Sequence, residues 1–233
     1  MTTEISKIPH WVAGPTFANA MAMAITLHAD HARKADREPY LGHLLGVASN
    51  VIEAGGTEDQ AAAALLHDAI EDRQSTPLEI EKATNVLVAW IVDACSEERT
   101  GRDDDGPETW ALRKQTYLTH LAEATEEDPS LLVALADKVN NCEKTARDLR
   151  RHLDQDGKSL ESFWKAFNSG DSCQEWWYRG LLRGFSTKPQ LNTRLAQPLL
   201  LRLERAIEDL FGERAIIPCD KGHQHAPNHP GAK

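Results

Sequence analysis

Apolar residues recur at steps of three and four along most of this chain, which is the spacing of one face of an α-helix. The pattern from Phe17 to His28 predicts a first helix that ends near Lys34. After a polar loop, Pro39 opens a second apolar pattern, which stops at the glycine pair 55–56. Both segments therefore favour helices that lay one apolar face on a core.

Helix-start signals divide the rest of the chain. Thr57 with Gln60, and Thr76 with Glu79, have the spacing of capping boxes, in which a side chain and the backbone satisfy each other's free N–H groups. The first box opens a third predicted helix that runs through AAAALLHDAIED (61–72). The remaining predicted helices lie at 85–95, 107–125, 129–151, 158–169, 172–185 and 188–211. The first of these also fits a buried strand, but its helical neighbours favour the helix.

These elements predict a single all-α domain over residues 10–211, of which 158–211 form the C-terminal helices. From residue 212 the periodicity ends and the chain turns rich in Gly, Pro and His. Such a composition has little apolar surface to bury, so we expect a flexible tail over 212–233.

The composition narrows the class of protein. With 41% hydrophobic residues over 233 positions, the chain can bury a core without disulfides. No apolar stretch reaches the roughly 20 residues of a membrane span, and no signal-peptide pattern opens the chain, so we expect a cytoplasmic protein without membrane contact. The net charge of -10 argues against binding of a nucleic-acid polymer. Local clusters of Lys and Arg can still bind a small anionic substrate.

Four titratable residues lie close together in the third predicted helix: His67, Asp68, Glu71 and Asp72. Unpaired carboxylates are costly to bury, so in an apolar helix such groups are paired, solvated or bound to a cation. Residues four apart share a helix face, so Glu71 and Asp72 lie one turn beyond the His67-Asp68 pair. The pair can reach one ion, and the position of the two later carboxylates suits orienting or deprotonating a water.

Two further residues are consistent with a metal site. His43 lies in the second predicted helix, and Asp137 interrupts the apolar run 130–141. Taken singly, His43 also fits a hydrogen-bonded core histidine, and Asp137 a partner for Lys138 or Arg147. Two His and two Asp on three helices form a mixed nitrogen and oxygen set, which suits Mn, Fe, Co, Ni or Zn better than Ca. An open set of this kind is what metal-assisted hydrolysis needs.

The same residues belong to a longer ordered motif. It reads His28…Arg33-Lys34…Glu38-Pro39-Tyr40…His43…Ala64-Leu65-Leu66-His67-Asp68-Ala69-Ile70-Glu71-Asp72…Leu135-Ala136-Asp137-Lys138…Asn141. This motif resembles the hydrolase domain of the RelA/SpoT family and, equally, the stand-alone small alarmone hydrolases of that family. The resemblance covers about residues 17–150 and implies an all-helical HD-domain bundle.

The resemblance also implies an activity. The family removes the 3′-pyrophosphate from (p)ppGpp, giving GDP or GTP and pyrophosphate. We therefore expect a Mn²⁺-dependent phosphohydrolase that acts on a small phosphorylated nucleotide. Glu71 and Asp72 fall on the acidic pair that handles the attacking water. The residues on the metal-ligand positions of the family are His43, His67, Asp68 and Asp137.

On the substrate side, Arg33 and Lys34 match the family's basic pair, with the Arg against the base and the Lys nearer phosphate. An Arg plane can stack on a purine, and a Lys is a mobile point charge for phosphates. The loop from this pair to Glu38 is one residue longer than the usual spacing, Asn140 replaces a family histidine, and Lys144 replaces a small hydroxyl residue. The expected substrate-binding residues are Arg33, Lys34, Tyr40, Asn141 and Lys144.

Three functions remain in competition. The leading one is a stand-alone (p)ppGpp pyrophosphohydrolase; because the chain ends at residue 233, we expect no synthetase domain. The second is a phosphohydrolase of another nucleotide or dinucleotide, such as a nucleoside monophosphate or the 2′-phosphate of NADPH. The third is a degenerate HD domain that binds a nucleotide without turnover, which the complete set of metal-site and water-handling residues argues against. The sequence leaves the oligomeric state open.

Overall fold

A computed structural model of the chain describes residues 13–33, 37–96, 107–212 and 214–219. Within these ranges the secondary structure consists of α-helices and one short 3₁₀ helix at Pro189–Leu191, so the all-α prediction is confirmed. The first six helices are α1 (Pro15–Leu27), α2 (Leu41–Glu53), α3 (Glu58–Leu66), α4 (Ala69–Arg73), α5 (Pro77–Ala83) and α6 (Val86–Cys95). The others are α7 (Pro107–Glu123), α8 (Ser130–Leu153), α9 (Leu160–Trp164), α10 (Asp171–Ser186) and α11 (Gln197–Phe211).

The helix starts follow the capping signals in the sequence. Both predicted capping boxes form, with the Thr57 side chain accepting from Gln60 N and the Thr76 side chain accepting from Glu79 N. The apolar stretch that also fitted a strand is helix α6, and Asn85 caps it by accepting from the backbone of Val88. Local side-chain chemistry therefore decides where these helices begin.

Four predicted boundaries were wrong. The first helix ends at Leu27 rather than Lys34, because the backbones of Arg33 and Tyr40 pair with other parts of the following loop. The third helix is interrupted after Leu66 and resumes as α4 at Ala69. The predicted helix 158–169 shortens to α9, because the backbone hydrogen bonds after it join residues three apart and form a tighter turn. The predicted helix 188–211 divides into the 3₁₀ helix and α11, because the Asn192 side chain bonds two carbonyls at that turn.

Helix α3 lies at the centre of the bundle. Its residues from Ala61 to Leu66 are fully buried, and the helix packs against α1, α2, α6 and α8. Four consecutive alanines let these neighbours approach closely, since each presents only a methyl group. Helix α8 is buried over its first eight residues, from Ser130 to Asp137. The residues that follow α3 and the middle of α8 are therefore brought together inside the bundle.

None of the helices in the described ranges combines the length and apolar character required to cross a membrane. Most of the predicted tail, residues 220–233, lies outside the described residues, as do Lys34 and residues 97–106.

The short segment 214–219 packs on the start of α10. Arg214 makes two hydrogen bonds to the Asp171 carboxylate, at 2.5 and 2.6 Å, and Ile217 N donates to the same group at 2.9 Å. The Asp171 side chain is completely buried. A buried carboxylate needs such partners, because removing one leaves an uncompensated charge in a medium that solvates it poorly.

We expect Arg214→Ala to lower the free energy of unfolding by about 3 kcal/mol, the usual effect of breaking a buried ion pair. Urea unfolding followed by circular dichroism measures it. Arg194→Ala, which removes an exposed arginine, serves as the control and should change stability little. Equal stability of the two variants would show that Asp171 does not depend on Arg214.

Candidate metal centre

Four side chains from three parts of the bundle converge on one point. His43 comes from the first turn of α2, His67 and Asp68 from the break between α3 and α4, and Asp137 from α8. His43 Nε2 lies 3.2 Å from His67 Nε2, 3.5 Å from Asp68 Oδ2 and 3.3 Å from Asp137 Oδ1. His67 Nε2 lies 3.0 Å from Asp68 Oδ2 and 3.4 Å from Asp137 Oδ1. All four residues of the predicted metal set are therefore adjacent.

The interruption of the helix at 67–68 makes this geometry possible. Asp68 has φ −97° and ψ 3°, away from the helical minimum, and α4 starts at the next residue. In an uninterrupted helix, neighbouring side chains diverge by about 100° around the axis. At this break the two side chains instead point to the same place, with 3.0 Å between His67 Nε2 and Asp68 Oδ2.

Both histidine rings are held by their second nitrogen. His43 Nδ1 lies 2.8 Å from Asn140 Oδ1, and His67 Nδ1 lies 2.9 Å from the carbonyl oxygen of Ala64. Because both partners are acceptors, each Nδ1 carries the proton and donates. Each neutral ring then presents a lone pair at Nε2. Each Nε2 lies within 3.5 Å of the other Nε2 and of an oxygen of both carboxylates, an arrangement that positive charge between these atoms stabilises.

The spacing of these atoms fits a divalent metal ion. Ligand atoms that each lie about 2.1 Å from one ion are roughly 3.0–3.4 Å apart at octahedral or tetrahedral angles. The five separations that involve a histidine Nε2 run from 3.0 to 3.5 Å. Three of the residues, His43, His67 and Asp68, form a group with the mutual distances of metal ligands. The Asn140 and Ala64 contacts add the outer hydrogen bonds that metal-binding histidines commonly have.

The electrostatics of the cluster agree with this reading. Burial lowers the pKa of His67, but the Asp68 carboxylate and the hydrogen bond with Asp137 outweigh it, so that the pKa lies well above its ordinary value. Burial raises the pKa of Asp68, but His67 and the hydrogen bond with His43 bring it well below the usual range. The carboxylates thus remain charged, and positive charge at the centre of the cluster is strongly favoured.

A chain of polar contacts links Asp137 to the loop after α1. Lys138 Nζ lies 2.8 Å from Asp137 Oδ2, and Asn141 Nδ2 donates to Asp137 Oδ1 at 2.6 Å. Arg33 Nη2 in turn donates to Asn141 Oδ1 at 2.7 Å. The sequence-based alternative that Asp137 pairs with Lys138 is therefore confirmed as a contact, and it coexists with the approach of Asp137 to both histidines.

Tyr40 and His31 form a second layer beside Asp68. The Tyr40 hydroxyl donates to Asp68 Oδ2 at 2.5 Å. The His31 ring stacks on Tyr40 with 3.9 Å between ring centroids, and His31 Nδ1 lies 4.0 Å from Asp72 Oδ2. The sequence analysis missed His31 and the role of Asn140, because neither residue carries a periodic or spacing signal of its own. Their partners are distant in sequence and become visible only in the fold.

The remaining predicted residues lie around this cluster. Glu71 and Asp72 are on α4, one turn past the His67-Asp68 pair, and a third of the Asp72 side chain is exposed. Lys144 is buried, with Nζ 2.6 Å from Asp148 and 3.4 Å from Glu38. A cleft of about 370 Å³ opens beside the cluster. It is lined by Arg33, Glu38, Pro39, Gly42, His43, Asn140, Lys144 and Arg147.

The HD domain family matches residues 20–162, a span that contains all four converging side chains. The chain belongs to the HD domain family. This family and the His43, His67 and Asp68 cluster together indicate dependence on a divalent metal.

The relatives carry one name. A guanosine-3′,5′-bis(diphosphate) 3′-pyrophosphohydrolase MESH1 of Xenopus tropicalis is 34% identical over 135 residues, which are 57% of this chain and 68% of the relative. The protein of the same name from Mus musculus is 29% identical over 191 residues, 79% of this chain and 87% of the relative. A solved metazoan orthologue of SpoT superposes with a TM-score of 0.64 at 21% identity, covering 87% of this chain and 99% of that structure. At that identity the superposition shows the fold.

We expect Asn140→Ala to weaken metal binding about 10- to 100-fold, the usual effect of removing the hydrogen bond that orients a metal-binding histidine. Titration calorimetry with Mn²⁺ on metal-stripped protein measures this affinity. Asn140→Asp keeps an acceptor oxygen for His43 Nδ1 and should bind Mn²⁺ at least as well as the wild type. If Asn140→Ala binds as tightly as Asn140→Asp, this hydrogen bond does not orient His43.

Proposed function

We propose that this chain is a Mn²⁺-dependent pyrophosphohydrolase that removes the 3′-pyrophosphate of (p)ppGpp. The observation that carries the proposal is the convergence of two imidazole Nε2 atoms, each of which lies within 3.5 Å of an oxygen of both carboxylates. It is supported by the shared name of the relatives from frog and mouse, both called guanosine-3′,5′-bis(diphosphate) 3′-pyrophosphohydrolases.

In this proposal the metal ligands are His43, His67, Asp68 and Asp137. A divalent ion held there supplies positive charge to a phosphate group and acidity to water. Asn140 and the carbonyl of Ala64 keep both imidazoles in the tautomer that ligates. The Tyr40 hydroxyl and the Lys138 ammonium fix the carboxylates of Asp68 and Asp137.

Glu71 and Asp72 receive the proton of the attacking water. The oxygen of that water forms a bond to the phosphorus attached to the ribose 3′ oxygen, and the bond from this phosphorus to the 3′ oxygen breaks. The 3′ oxygen takes up the proton that the acidic pair received from the water. Pyrophosphate and a nucleotide with a free 3′-hydroxyl result. Both carboxylates lie on α4, one turn beyond the His67-Asp68 pair.

Substrate binding falls to the cleft beside the cluster. Arg33 is held by Asn141, which leaves the face of its guanidinium for a purine ring. Lys34 lies outside the described residues, and its place near phosphate stays a prediction. Tyr40 and Lys144 are engaged with protein carboxylates, so we assign them to orienting Asp68 and to forming the cleft wall, respectively.

A second candidate is a phosphohydrolase of another phosphorylated nucleotide, such as a nucleoside monophosphate or the 2′-phosphate of NADPH. The observation that favours it is the charged cleft wall, where Lys144 stands between Glu38 and Asp148 instead of a small hydroxyl residue. A degenerate domain without turnover is disfavoured, because Glu71 and Asp72 accompany a complete cluster. The cytoplasmic location stays a prediction.

We expect the Mn²⁺-loaded protein to release pyrophosphate from (p)ppGpp, and to act on it faster than on nucleoside monophosphates or NADPH. A nucleotide panel assayed separately for pyrophosphate and orthophosphate distinguishes the two candidates. Addition of a chelator should abolish turnover. Release of orthophosphate alone would favour the second candidate, and absence of turnover on every nucleotide would favour a binding domain.

We expect Glu71→Gln to lower kcat on the accepted nucleotide about 100-fold or more, the usual loss when a general base is removed. Calorimetry should show Mn²⁺ affinity close to that of the wild type, since Gln keeps the size of the side chain. Glu81→Gln, an exposed position on α5, is the matched control and should retain full activity. Full activity of Glu71→Gln would remove this residue from the mechanism.

A further inference from the structure

A second cleft, of about 360 Å³, lies between α8 and α11 and is rich in arginine. Its lining residues are Glu143, Ala146, Arg147, Arg150, Arg202, Arg205, Ala206 and Asp209. Four guanidinium groups thus face two carboxylates, which gives the cleft a local excess of two positive charges. The chain as a whole carries a net charge of -10, so the charge of this cleft is opposite in sign to the net charge of the chain.

Two of the arginines form ion pairs with the two carboxylates of the cleft. Arg150 Nη2 lies 2.6 Å from Asp209 Oδ2, across the two helices. Arg202 makes two 2.8 Å hydrogen bonds to the Glu143 carboxylate and a third to Asn50 Oδ1. Both pairs connect α8 to α11 along the walls of the cleft.

Arg147 and Arg205 are the other two arginines of this cleft. Within the part of the chain that the structure describes, neither guanidinium makes an ion pair or a side-chain hydrogen bond. Both side chains are exposed to solvent and line the same cleft, one from α8 and the other from α11. Two unengaged guanidinium groups in one concave site are suited to a phosphate or diphosphate, whose oxygens accept paired N–H donors.

Arg147 also joins this cleft to the metal centre. It lines the cleft that contains His43, Arg33 and Asn140, as well as the arginine-rich cleft. Arg147 is ten residues past Asp137 on the same helix, and ten residues of α-helix span about 15 Å. This distance matches, in order of magnitude, the length of a nucleotide that carries diphosphates at both ends of its ribose.

We propose that the cleft between α8 and α11 is an anion-binding subsite that takes the 5′-diphosphate of the substrate while its 3′ end lies at the metal centre. The assignment to substrate rests on the proposed function, whereas the binding of a diphosphate anion depends only on the arginines. Arg147 and Arg205 supply the donors, and the two paired arginines add positive charge at the rim. A separate molecule that carries a phosphate or diphosphate group would offer the arginines the same oxygens as the 5′-diphosphate of the substrate. The experiments below therefore distinguish the substrate from such a separate ligand.

The first experiment measures anion binding directly. Inorganic pyrophosphate is titrated into the full chain in the presence of a chelator, so that the metal centre does not take it up. We expect Arg147→Gln and Arg205→Gln each to weaken binding about tenfold, the usual effect of losing a charged hydrogen bond. Arg183→Gln, at an exposed arginine on α10, should bind like the wild type. Equal affinity in all four proteins would overturn the proposal, whatever nucleotide the enzyme hydrolyses.

The second experiment identifies the source of the anion. KM is measured for guanosine with diphosphates at both the 3′ and 5′ positions, and for guanosine 3′-diphosphate with a free 5′-hydroxyl. We expect Arg205→Gln to raise KM about tenfold for the first substrate and to leave KM for the second unchanged. An equal rise for both would overturn the proposal, since the arginine would then act through the fold. Loss of pyrophosphate binding with unchanged KM for the first substrate would also overturn it, in favour of a free phosphate-bearing ligand.

Discussion

Four acceptor atoms held around one point inside the bundle are the constraint on which the rest of this structure depends. Each imidazole Nε2 lies 3.0–3.5 Å from the other and from both carboxylates, and the negative charge gathered there is stable only with positive charge at the centre of the cluster. The buried alanine face of α3 fixes this helix at the centre of the bundle, and so holds the start of the cluster in place. The chain leaves the helix directly after that face, which is why His67 and Asp68 can point in the same direction.

The residues around the cluster decide how firmly its atoms are held. Asn140 fixes His43 from α8, and Gly46 on α2 leaves the space for it, because a Cβ there would lie 2.5 Å from the Asn140 amide nitrogen. Lys138 and Asn141 hold Asp137 from the same helix. One helix thus supplies the Asp137 carboxylate of the cluster, the hydrogen bond to His43 and, through Asn141, the contact to Arg33. Changes in α8 therefore reach both the cluster and the segment that carries Arg33.

The charge of the chain is distributed in a way that suits a small anionic ligand. Overall the protein is acidic, which disfavours long polyanions with many phosphates spread over a large surface. The concave sites beside the cluster are nevertheless lined by arginine and lysine. Arg147 lies at the junction of the two clefts, so a ligand that starts at the metal centre meets positive charge along its length. Steering of this kind depends on local charge rather than on net charge.

Local sequence determined the helices, their capped starts and the identity of the metal-site candidates. Capping boxes act over three residues, and the pairing of Thr57 with Gln60 can be read without any tertiary contact. The HD pair and the lone Asp137 stood out because charged groups in apolar helices need a partner. The break after Leu66 could not be predicted in this way, because the stretch favours helix throughout. It becomes visible only in the fold, where the backbone of Asp68 leaves the helical conformation. The support of His43 by Asn140, 97 residues away, was likewise decided by the tertiary structure alone, because such contacts follow from how helices pack and leave no spacing in the sequence.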